Sequence, residues 1–402
     1  MNICNWLRSL DNGCAVGLYC SDVSGAFDRI RCDRLVEKLE VSGLHRNVVR
    51  LLASWLEDRE SSVVVCGAKS DPTELANSVF QGTVLGPPLW NIFYADAALA
   101  TRLLRFIEVV FADDYNCWKP FSRNTDRPEI LRQCEACQAR LHEWGAANSV
   151  KFDPDKESFH VLHRSHGFGD EFKLLGLTFD VSLRMERGVS ILAREAGWRL
   201  QSVLRPQRFF TEKQIVNLYK SQVLSYIESS VPGYYHAAST TLHTLDRIQD
   251  RLCRALSLSP EVVLERYRLA PLKSRRDMAL MGLLHRVVLS DVSRQLAELF
   301  PFATSGPLEF VRTRLQIRRH NKQLIAPPFG TETLRRSLFG LVRIYNLLPQ
   351  SVVDLKSVKE FQSTLQGALR NAASLGIPNW DSLFSPRLRP VRDLEFQRHF
   401  EG

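Results

Sequence analysis

Apolar and polar positions follow different periods in the two halves of the chain. Up to about residue 180, short apolar runs that end in polar residues predict strands, and segments of helical period lie between them. The predicted strands are residues 17–23, 61–66, 107–112, 159–163 and 172–179, and the predicted helices are residues 33–39, 47–56, 89–104 and 127–144. This alternation predicts a domain that mixes helix and sheet.

Beyond residue 180 the apolar positions recur with the 3.6-residue period of helices, and prolines separate the segments. The predicted helices are residues 211–227, 241–256, 277–289, 335–346 and 359–373. Residues 301–307 are typical of a linker. Residues 311–320 are predicted to form a basic strand or loop, and the residues from 378 onwards are predicted to form a loose tail. The second half is therefore expected to be largely helical.

The composition excludes several classes of protein. Of 402 residues, 45% are hydrophobic and 24% are charged, which is ordinary for a globular chain and excludes disorder of the whole. No apolar run approaches the roughly 18 residues of a membrane span, and residues 1–10 lack a signal-peptide pattern. Nine scattered cysteines do not indicate a disulfide framework. We therefore expect an intracellular protein that is not secreted and has no membrane partner.

The charge is distributed unevenly between the two halves. Residues 1–180 carry 20 Lys+Arg against 25 Asp+Glu, a net charge of −5, whereas residues 181–402 carry 33 against 19, a net charge of +14. This asymmetry suggests that the basic half holds a polyanion while the acidic half performs chemistry that needs cations. A solvated basic surface without any partner is the alternative.

Three carboxylates stand out by their position. Asp22 ends one apolar strand, and Asp113 and Asp114 lie where another strand meets a turn. Carboxylates crowded at neighbouring strand ends repel one another unless cations bind between them, and Mg²⁺ prefers such hard oxygen ligands. Two such ions can stabilise both the attacking and the leaving oxygen of a phosphoryl transfer. The alternative is structural, because Asp-Asp is common in turns and Asp22 can cap a strand.

Five segments, in order, resemble the characteristic motifs of one enzyme family. Residues 21–30 (SDVSGAFDRI), 80–91 (FQGTVLGPPLWN) and 111–114 (FADD) resemble motifs A, B and C of the reverse transcriptases of non-LTR (LINE-type) retrotransposons. Trp144 with residues 151–157 (KFDPDKE) is similar to motif D, and residues 172–177 (FKLLGL) to motif E. Residues 215–256 resemble, more weakly, the helical thumb region of these proteins, and residues 337–369 resemble the C-terminal unit that follows it.

The resemblance implies a fold of the α+β class. It consists of a right-hand polymerase palm, an antiparallel sheet packed on helices, followed by a mainly helical thumb and a C-terminal helical unit. The implied domains are residues 1–182 for the palm with motifs A–E, 183–300 for the thumb-like region and 308–402 for the basic C-terminal unit with its tail. The implied partners are an RNA template, a DNA primer and dNTPs, and the implied location is the nucleus or the cytoplasm.

The resemblance also implies roles around the three carboxylates. Asp22 and Asp113 would be the main ligands of two catalytic Mg²⁺ ions, or of Mn²⁺, with Asp114 beside them. Phe27 would be the aromatic gate under the sugar of the incoming nucleotide, which disfavours a 2′-OH. Lys156 would donate a proton to the leaving pyrophosphate. Core packing for Phe27 and a surface ion pair for Lys156 remain the alternatives.

Two further pairs of residues receive roles from the same motifs. Gln81 and Gly82 would shape the pocket for the nucleotide and the template, where glycine permits a close backbone approach. Leu175 and Gly176 would belong to the primer grip. For Gln81 and Gly82 a plain turn is the competing interpretation.

Basic side chains in the second half are candidates for holding nucleic acid through its phosphates. Those on thumb-like helices are Lys213, Lys220, Arg247, Arg251 and Arg254, and the densest cluster contains Arg312, Arg314, Arg318 and Arg319. Aromatic residues are not regularly interleaved with them, so base stacking is not predicted. A solvated strand or helix face is the alternative.

One departure from the family pattern bears on activity. No residues match the fingers motifs that normally precede motif A, and no endonuclease domain is recognised. We therefore expect an RNA-directed DNA polymerase that is N-terminally truncated and impaired in nucleotide addition. The alternatives are a non-catalytic nucleic-acid-binding remnant and a group II intron maturase-like protein. The segment SLFGLVRIYNLLP over residues 337–349 argues against the maturase.

Overall fold

The computed structural model describes residues 1–75, 77, 79, 81–303, 320–388 and 400. They form two compact units. Gly13–Asp170 forms the first, which we call the sheet unit, and Met1–Asn12 joins the residues from Glu171 onwards in the second, which we call the helical unit. None of the helices in the described ranges is both long enough and apolar enough to cross a membrane.

Helices account for most of the ordered elements. In chain order they are α1 Asn2–Asp11, α2 Cys32–Val41, α3 Arg46–Leu56, α4 Gly86–Tyr94, α5 Ala97–Arg102, α6 Arg127–Asn148, α7 Glu186–Leu204, α8 Glu212–Tyr219, α9 Ser225–Ser229, α10 Val231–Tyr234, α11 Ser239–Ala255, α12 Pro260–Tyr267, α13 Leu272–Val288, α14 Arg294–Ala297, α15 Glu332–Arg335, α16 Leu338–Tyr345, α17 Gln350–Val353 and α18 Val358–Ser374.

The strands are concentrated in the first half of the chain. They are β1 Ala15–Asp22, β2 Glu60–Ser61, β3 Val64–Val65, β4 Ala68–Lys69, β5 Thr73–Glu74, β6 Ile107–Phe111, β7 Asp114–Phe121, β8 Ser158–Leu162, β9 Phe172–Leu174 and β10 Leu177–Phe179. Strands β2–β5 form two short ladders with exposed side chains.

The sheet unit is built around a four-stranded antiparallel sheet with the strand order β6-β7-β1-β8. Every residue of β1 is buried, as its apolar sequence AVGLYC requires for a central strand. Gly17 of β1 allows α6 to approach closely, since a Cβ there would lie 2.9 Å from Ile130 and 3.0 Å from the Cys134 sulfur. Helix α6 therefore packs directly on β1 and covers one face of the sheet.

An aromatic core lies between the sheet and α4. The rings of Trp90 and Tyr94 stack with centroids 4.7 Å apart, and Tyr94 meets Tyr115 of β7 edge to face at 5.8 Å. The Tyr115 hydroxyl lies 2.7 Å from Thr101 Oγ1, so this buried polar group has a partner. Phe93 is fully buried beside them. This cluster fixes α4 against the strands that carry the acidic residues.

The helical unit joins the N-terminal helix to segments far along the chain. Trp6 of α1 packs edge to face on Phe172 and Phe179 of the β9–β10 hairpin, with centroids 6.4 and 6.3 Å away. Helix α7 packs along α11 and against the α8–α9 segment, which includes a π-helical turn at Lys220–Leu224. Helix α13 packs on α16 and α18, where His285 stacks on Phe361 at 4.1 Å.

The observed elements differ from the sequence predictions in several places; strand β7 and helix α12, for example, have no predicted counterpart. The helix predicted over residues 89–104 is two helices, α4 and α5, and Asp96 between them accepts hydrogen bonds from Lys38 and Trp144 at 2.9 Å each. Helix α7 is absent from the predictions, although its buried residues Val189, Leu192, Ala196, Leu200 and Val203 recur with a helical period. The predicted domain boundaries stay predictions, and the β9–β10 hairpin lies in the helical unit.

Candidate active site

Strand register brings the predicted acidic residues to one edge of the sheet. Asp22 is the last residue of β1 and pairs in register with Asp114, the first residue of β7. Asp113 and Ala112 form the two-residue turn between β6 and β7, and Ala112 has the positive φ of 53° that such turns need. The backbone N–H of Val23 donates to the Asp113 carbonyl at 3.3 Å. The turn is thereby attached to the end of β1.

The three carboxylates differ in their surroundings. Asp22 is buried, with 7% exposure, whereas Asp114 is half-buried and Asp113 lies in the same half-buried turn. Burial raises the pKa of the Asp114 carboxyl above its usual range, and the negative charges of Asp22 and Asp113 raise it further. The three side chains are therefore close enough to repel one another electrostatically.

Lys156 brings a positive charge to this edge. Its Nζ donates a hydrogen bond to Asp22 Oδ2 and lies 3.9 Å from Asp153 Oδ2. The bond to Asp22 raises the pKa of the Lys156 ammonium, so the side chain stays protonated. The structure thus pairs Lys156 with the central carboxylate rather than with acidic neighbours in its own segment alone.

The segment that carries Lys156 is attached to the end of β1 through its backbone. The Asp153 N–H donates to the Asp22 carbonyl at 3.0 Å, and the Ser24 N–H donates to the Lys151 carbonyl at 2.9 Å. The Lys156 N–H in turn donates to the Asp153 carbonyl at 3.0 Å, which closes a turn. This arrangement fixes the direction in which the lysine side chain leaves the backbone.

Glu157 is a residue of this site that the sequence analysis does not single out. Its side chain is 9% exposed and accepts hydrogen bonds from donors on other elements. The Tyr19 hydroxyl of β1 donates to Oε1, Gln138 Nε2 of α6 donates to Oε2 at 3.1 Å, and His142 Nε2 lies 2.8 Å from Oε1. Its place directly after Lys156 in KFDPDKE is the only signal in the sequence.

A cleft of about 460 Å³ opens beside the carboxylates. Its lining residues are Phe27, Gln81, Gly82, Thr83, Val84, Pro87 and Asp113. The structure therefore brings Phe27, Gln81 and Gly82 together next to an acidic residue, as the motif order implied. Phe27 also packs against Trp90, with ring centroids 5.8 Å apart, so its ring supports the core while its exposed part lines the cleft.

Trp90 links the cleft to the acidic turn. Its Nε1 donates a hydrogen bond to the Ala112 carbonyl at 2.7 Å, and its ring is almost completely buried. Helix α4 is thus bonded to the turn that carries Asp113. The only sequence signal for this role is an aromatic residue with a polar edge in segment 80–91.

The predicted primer-grip residues lie in the helical unit. Leu175 and Gly176 form the two-residue turn between β9 and β10, with φ angles of 49° and 81°. Glycine suits the second position because positive φ is free of strain there. Leu175 is 63% exposed. The primer-grip role itself stays a prediction.

The predicted basic residues divide into three groups. Lys213, Arg247, Arg251 and Arg254 lie on α8 and α11, towards solvent. Lys220 is half-buried and donates to the Tyr267 carbonyl at 2.5 Å, and burial lowers the pKa of its ammonium, so packing already uses this side chain. The third group, Arg312, Arg314, Arg318 and Arg319, lies outside the described residues.

The acidic edge has the donor chemistry for a divalent cation but not a complete ligand set. No three His, Cys, Asp or Glu side chains converge to hold a metal ion within the part of the chain that the structure describes. Carboxylate oxygens nevertheless suit Mg²⁺ and Mn²⁺. A dication would also relieve the repulsion that raises the pKa of Asp114. The predicted two-ion site stays a prediction.

Comparison with known proteins agrees with the motif order. Residues 8–179 match the family described as reverse transcriptase (RNA-dependent DNA polymerase). The chain is 25% identical over 261 residues to the RNA-directed DNA polymerase from mobile element jockey of Drosophila funebris, covering 60% of this chain and 28% of that protein. It is 38% identical over 82 residues to a probable RNA-directed DNA polymerase from transposon BS of Drosophila melanogaster, covering 19% and 9%.

Among solved structures, one similar to this chain is the apo telomerase of Candida tropicalis truncated from its C-terminal domain. The TM-score is 0.35 and the sequence identity 14%, and the alignment covers 45% of this chain and 39% of the telomerase chain. The aligned region spans less than a third of the jockey polymerase. The family match and the related mobile-element polymerases lead to one conclusion. Residues 8–179, under half of the chain, are similar to reverse transcriptases (RNA-dependent DNA polymerases), including the RNA-directed DNA polymerases of Drosophila mobile elements.

Proposed function

We propose that the chain is an RNA-directed DNA polymerase, which adds dNTPs to the 3′-OH of a DNA primer paired with an RNA template. One observation carries this proposal: the cleft lined by Phe27, Gln81 and Gly82 adjoins Asp113 at the sheet edge where Asp22 and Asp114 are paired. Acidic strand ends beside a cleft of this size suit a charged substrate that binds with its own cations.

The cleft residues would bind and orient the nucleotide. Phe27 presents an apolar ring, which accommodates a deoxyribose and disfavours a 2′-OH because that hydroxyl would lose its hydrogen bonds to water. Gly82 has a φ of 84°, and nothing lies within 4 Å of the position that a Cβ would take. The backbone at this point can therefore approach a substrate closely.

Asp22, Asp113 and Asp114 would hold the divalent cations. Bound Mg²⁺ supplies charge stabilisation for the attacking and leaving oxygens of a phosphoryl transfer. The primer 3′-oxygen forms the new bond to the α-phosphorus, and the bond to the pyrophosphate oxygen breaks. Asp114, whose pKa is raised, must ionise fully to serve as a ligand.

Lys156 would move a proton at the end of the reaction. A lysine ammonium is protonated at neutral pH, and the bond to Asp22 raises its pKa further. From this position Nζ can donate a proton to the leaving pyrophosphate and then regain one from water. Attachment of the 151–157 segment to β1 supplies the orientation that such a transfer needs.

A non-catalytic nucleic-acid-binding protein is the second candidate. The excess of basic residues in the second half and the exposed arginines of α11 favour it, because phosphate contacts alone give binding. This function would not need Asp113 or Asp114.

The deciding experiment is Mg²⁺-dependent dNTP incorporation on a primed RNA template. Wild type is compared with Asp113→Asn/Asp114→Asn, and template binding at several salt concentrations is measured on the same preparations. We expect incorporation by the wild type, its loss in the double variant, and equal binding by both. Salt-sensitive binding without incorporation by the wild type would instead support the second candidate.

A further inference from the structure

The outer sides of α7 and α11 form one continuous surface of the helical unit. Arg251 Nη2 of α11 lies 3.4 Å from Gln201 Oε1 of α7, and Arg251 Nη1 lies 3.9 Å from the position of a Cβ on Gly197. Further along, Gln207 Nε2 donates to the Ala255 carbonyl at 3.0 Å. Residues that face solvent on the two helices are therefore neighbours.

This surface combines arginines with one large aromatic side chain. We call this surface the Trp198 face. Its residues are exposed, and they lie along one side of α7 and its C-cap or on the adjoining side of α11: Arg194, Trp198, Arg205, Arg247, Arg251 and Arg254. Two acidic residues, Glu195 and Asp250, border it. Five arginines and two acidic residues thus share this face with one indole, so the face carries a net charge of +3.

Trp198 is the unusual member. Its side chain is 64% exposed, although tryptophan is normally among the more buried residue types. The guanidinium of Arg194 lies 5.8 Å from the centroid of its ring. An exposed indole on a face rich in arginines is poorly suited to an apolar protein surface, because covering the face would desolvate those charges. It suits a partner that offers flat rings and negative charges together.

We propose that the Trp198 face binds an unpaired segment of nucleic acid, with a base stacked on Trp198 and phosphates held by the arginines. This inference rests on the proposed function, since it names the strand that the polymerase would hold outside its cleft. Residues 198 and 205 lie two helical turns apart, about 10.5 Å. That distance is long enough for more than one nucleotide of a strand, so a base and neighbouring phosphates can contact the face together.

The proposed stacking departs from the expectation drawn from the sequence. Base stacking is not predicted from the sequence, because no aromatic residue is interleaved with the basic residues of α11. Packing of α7 on α11 places Trp198 beside them although it lies far away in sequence. Unpaired bases are specified because the bases of a duplex already stack on each other and present no free face.

The test is fluorescence anisotropy of the full chain with labelled oligo(U) RNA and, separately, with a blunt RNA–DNA duplex. We expect Trp198→Ala to weaken oligo(U) binding about ten-fold, Trp198→Phe to weaken it less, and neither to change duplex binding appreciably. Phe168→Ala is the matched control, because Phe168 is exposed and has its own arginine, Arg127, 5.5 Å from its ring. This control should bind like the wild type.

The arginines are tested through the salt dependence of the same binding. Replacing Arg247, Arg251 and Arg254 by Gln should reduce the slope of log K against log salt by about 0.7 for each phosphate that is no longer neutralised. Arg294→Gln serves as the control, since Arg294 is exposed on α14 and paired with Glu298. An unchanged slope in the triple variant would contradict the phosphate contacts.

Two outcomes would overturn the proposal: wild-type oligo(U) binding by Trp198→Ala, or an equal loss on oligo(U) and on the blunt duplex. Melting curves of each variant separate these outcomes from misfolding. The binding assay does not depend on nucleotide addition. If the chain fails to incorporate dNTPs but Trp198→Ala weakens oligo(U) binding, the proposed polymerase activity is refuted and the proposed role of the Trp198 face stands. If the chain incorporates dNTPs but Trp198→Ala binds oligo(U) like the wild type, only the proposed role of the face is refuted.

Discussion

The sheet unit and the helical unit use charge in opposite ways. In the sheet unit, acidic side chains are held in place by strand register, with Asp22 opposite Asp114 and one lysine bonded to Asp22. In the helical unit, arginines project from helix faces, and packing of α7 on α11 brings them together. Side chains held in register suit a reaction in which the reacting atoms must be precisely oriented. Arginines on helix surfaces suit the binding of a nucleic-acid strand through its phosphates, along which the strand can slide.

The largest expected effect tests the fixed arrangement. Asp22→Asn should abolish nucleotide incorporation, a greater loss than the about 10–100-fold typical of residues that only support a metal ligand. The variant removes a carboxylate charge and weakens the bond from Lys156. Steady-state incorporation with Mg²⁺ measures it, and Asp28→Asn, an exposed acid in the same motif, is the control. Residual activity within about ten-fold of wild type would show that Asp22 is not essential.

The next effect concerns Glu157, which we expect to position Lys156. Glu157→Gln keeps the shape but weakens the acceptor for Tyr19, Gln138 and His142. We predict an about ten-fold lower kcat with little change in KM for dNTP, because binding does not use this side chain. Adding Glu157→Gln to Lys156→Met should cost nothing further if the two act as one unit. Additive losses would mean that Glu157 acts independently of the lysine.

A third prediction separates stability from site geometry. Trp90→Phe removes the bond from Nε1 to the Ala112 carbonyl and should lower the free energy of unfolding by about 1–3 kcal/mol. Incorporation should fall as well, because the turn that carries Asp113 loses its tie to α4. Trp144→Phe loses a comparable bond, from Nε1 to Asp96 Oδ1, away from that turn. It should lose stability but keep activity, as denaturant titration and incorporation assays will show.

The smallest effect is a pH dependence of stability. The pKa of Asp114 is higher in the folded state than its value of 3.8 in the unfolded chain. The stability that protonated Asp114 contributes is therefore fully present below pH 3.8, and it is lost as the pH rises through the pKa of the folded state. Asp114→Asn removes this loss. In EDTA the variant should therefore melt at a higher temperature than wild type at neutral pH, and the difference should disappear below about pH 4. A constant difference across this range would contradict the repulsion among the carboxylates.

Residues whose position depends on local sequence were predictable, and those placed by packing were not. Asp22 and Asp113 follow apolar strands that the pattern predicted, so the acidic edge could be expected before the structure. Glu157 and Trp198 gained their surroundings from α6, β1 and α11, which are distant in sequence. Periodicity indicates the burial of a residue along its own element, but it says nothing about which other element packs beside it.

The attachment of α1 has a consequence for synthesis on the ribosome. Asp11 accepts hydrogen bonds from the Gly330 N–H, at 3.0 Å, and from the Thr331 hydroxyl, across separations of 319 and 320 residues. Trp6 likewise packs on Phe172 and Phe179, which are translated much later. Helix α1 must therefore remain without its final neighbours while most of the chain is translated. Contacts between residues so far apart in sequence slow folding. We therefore expect chaperones to bind the exposed apolar side of α1 during translation.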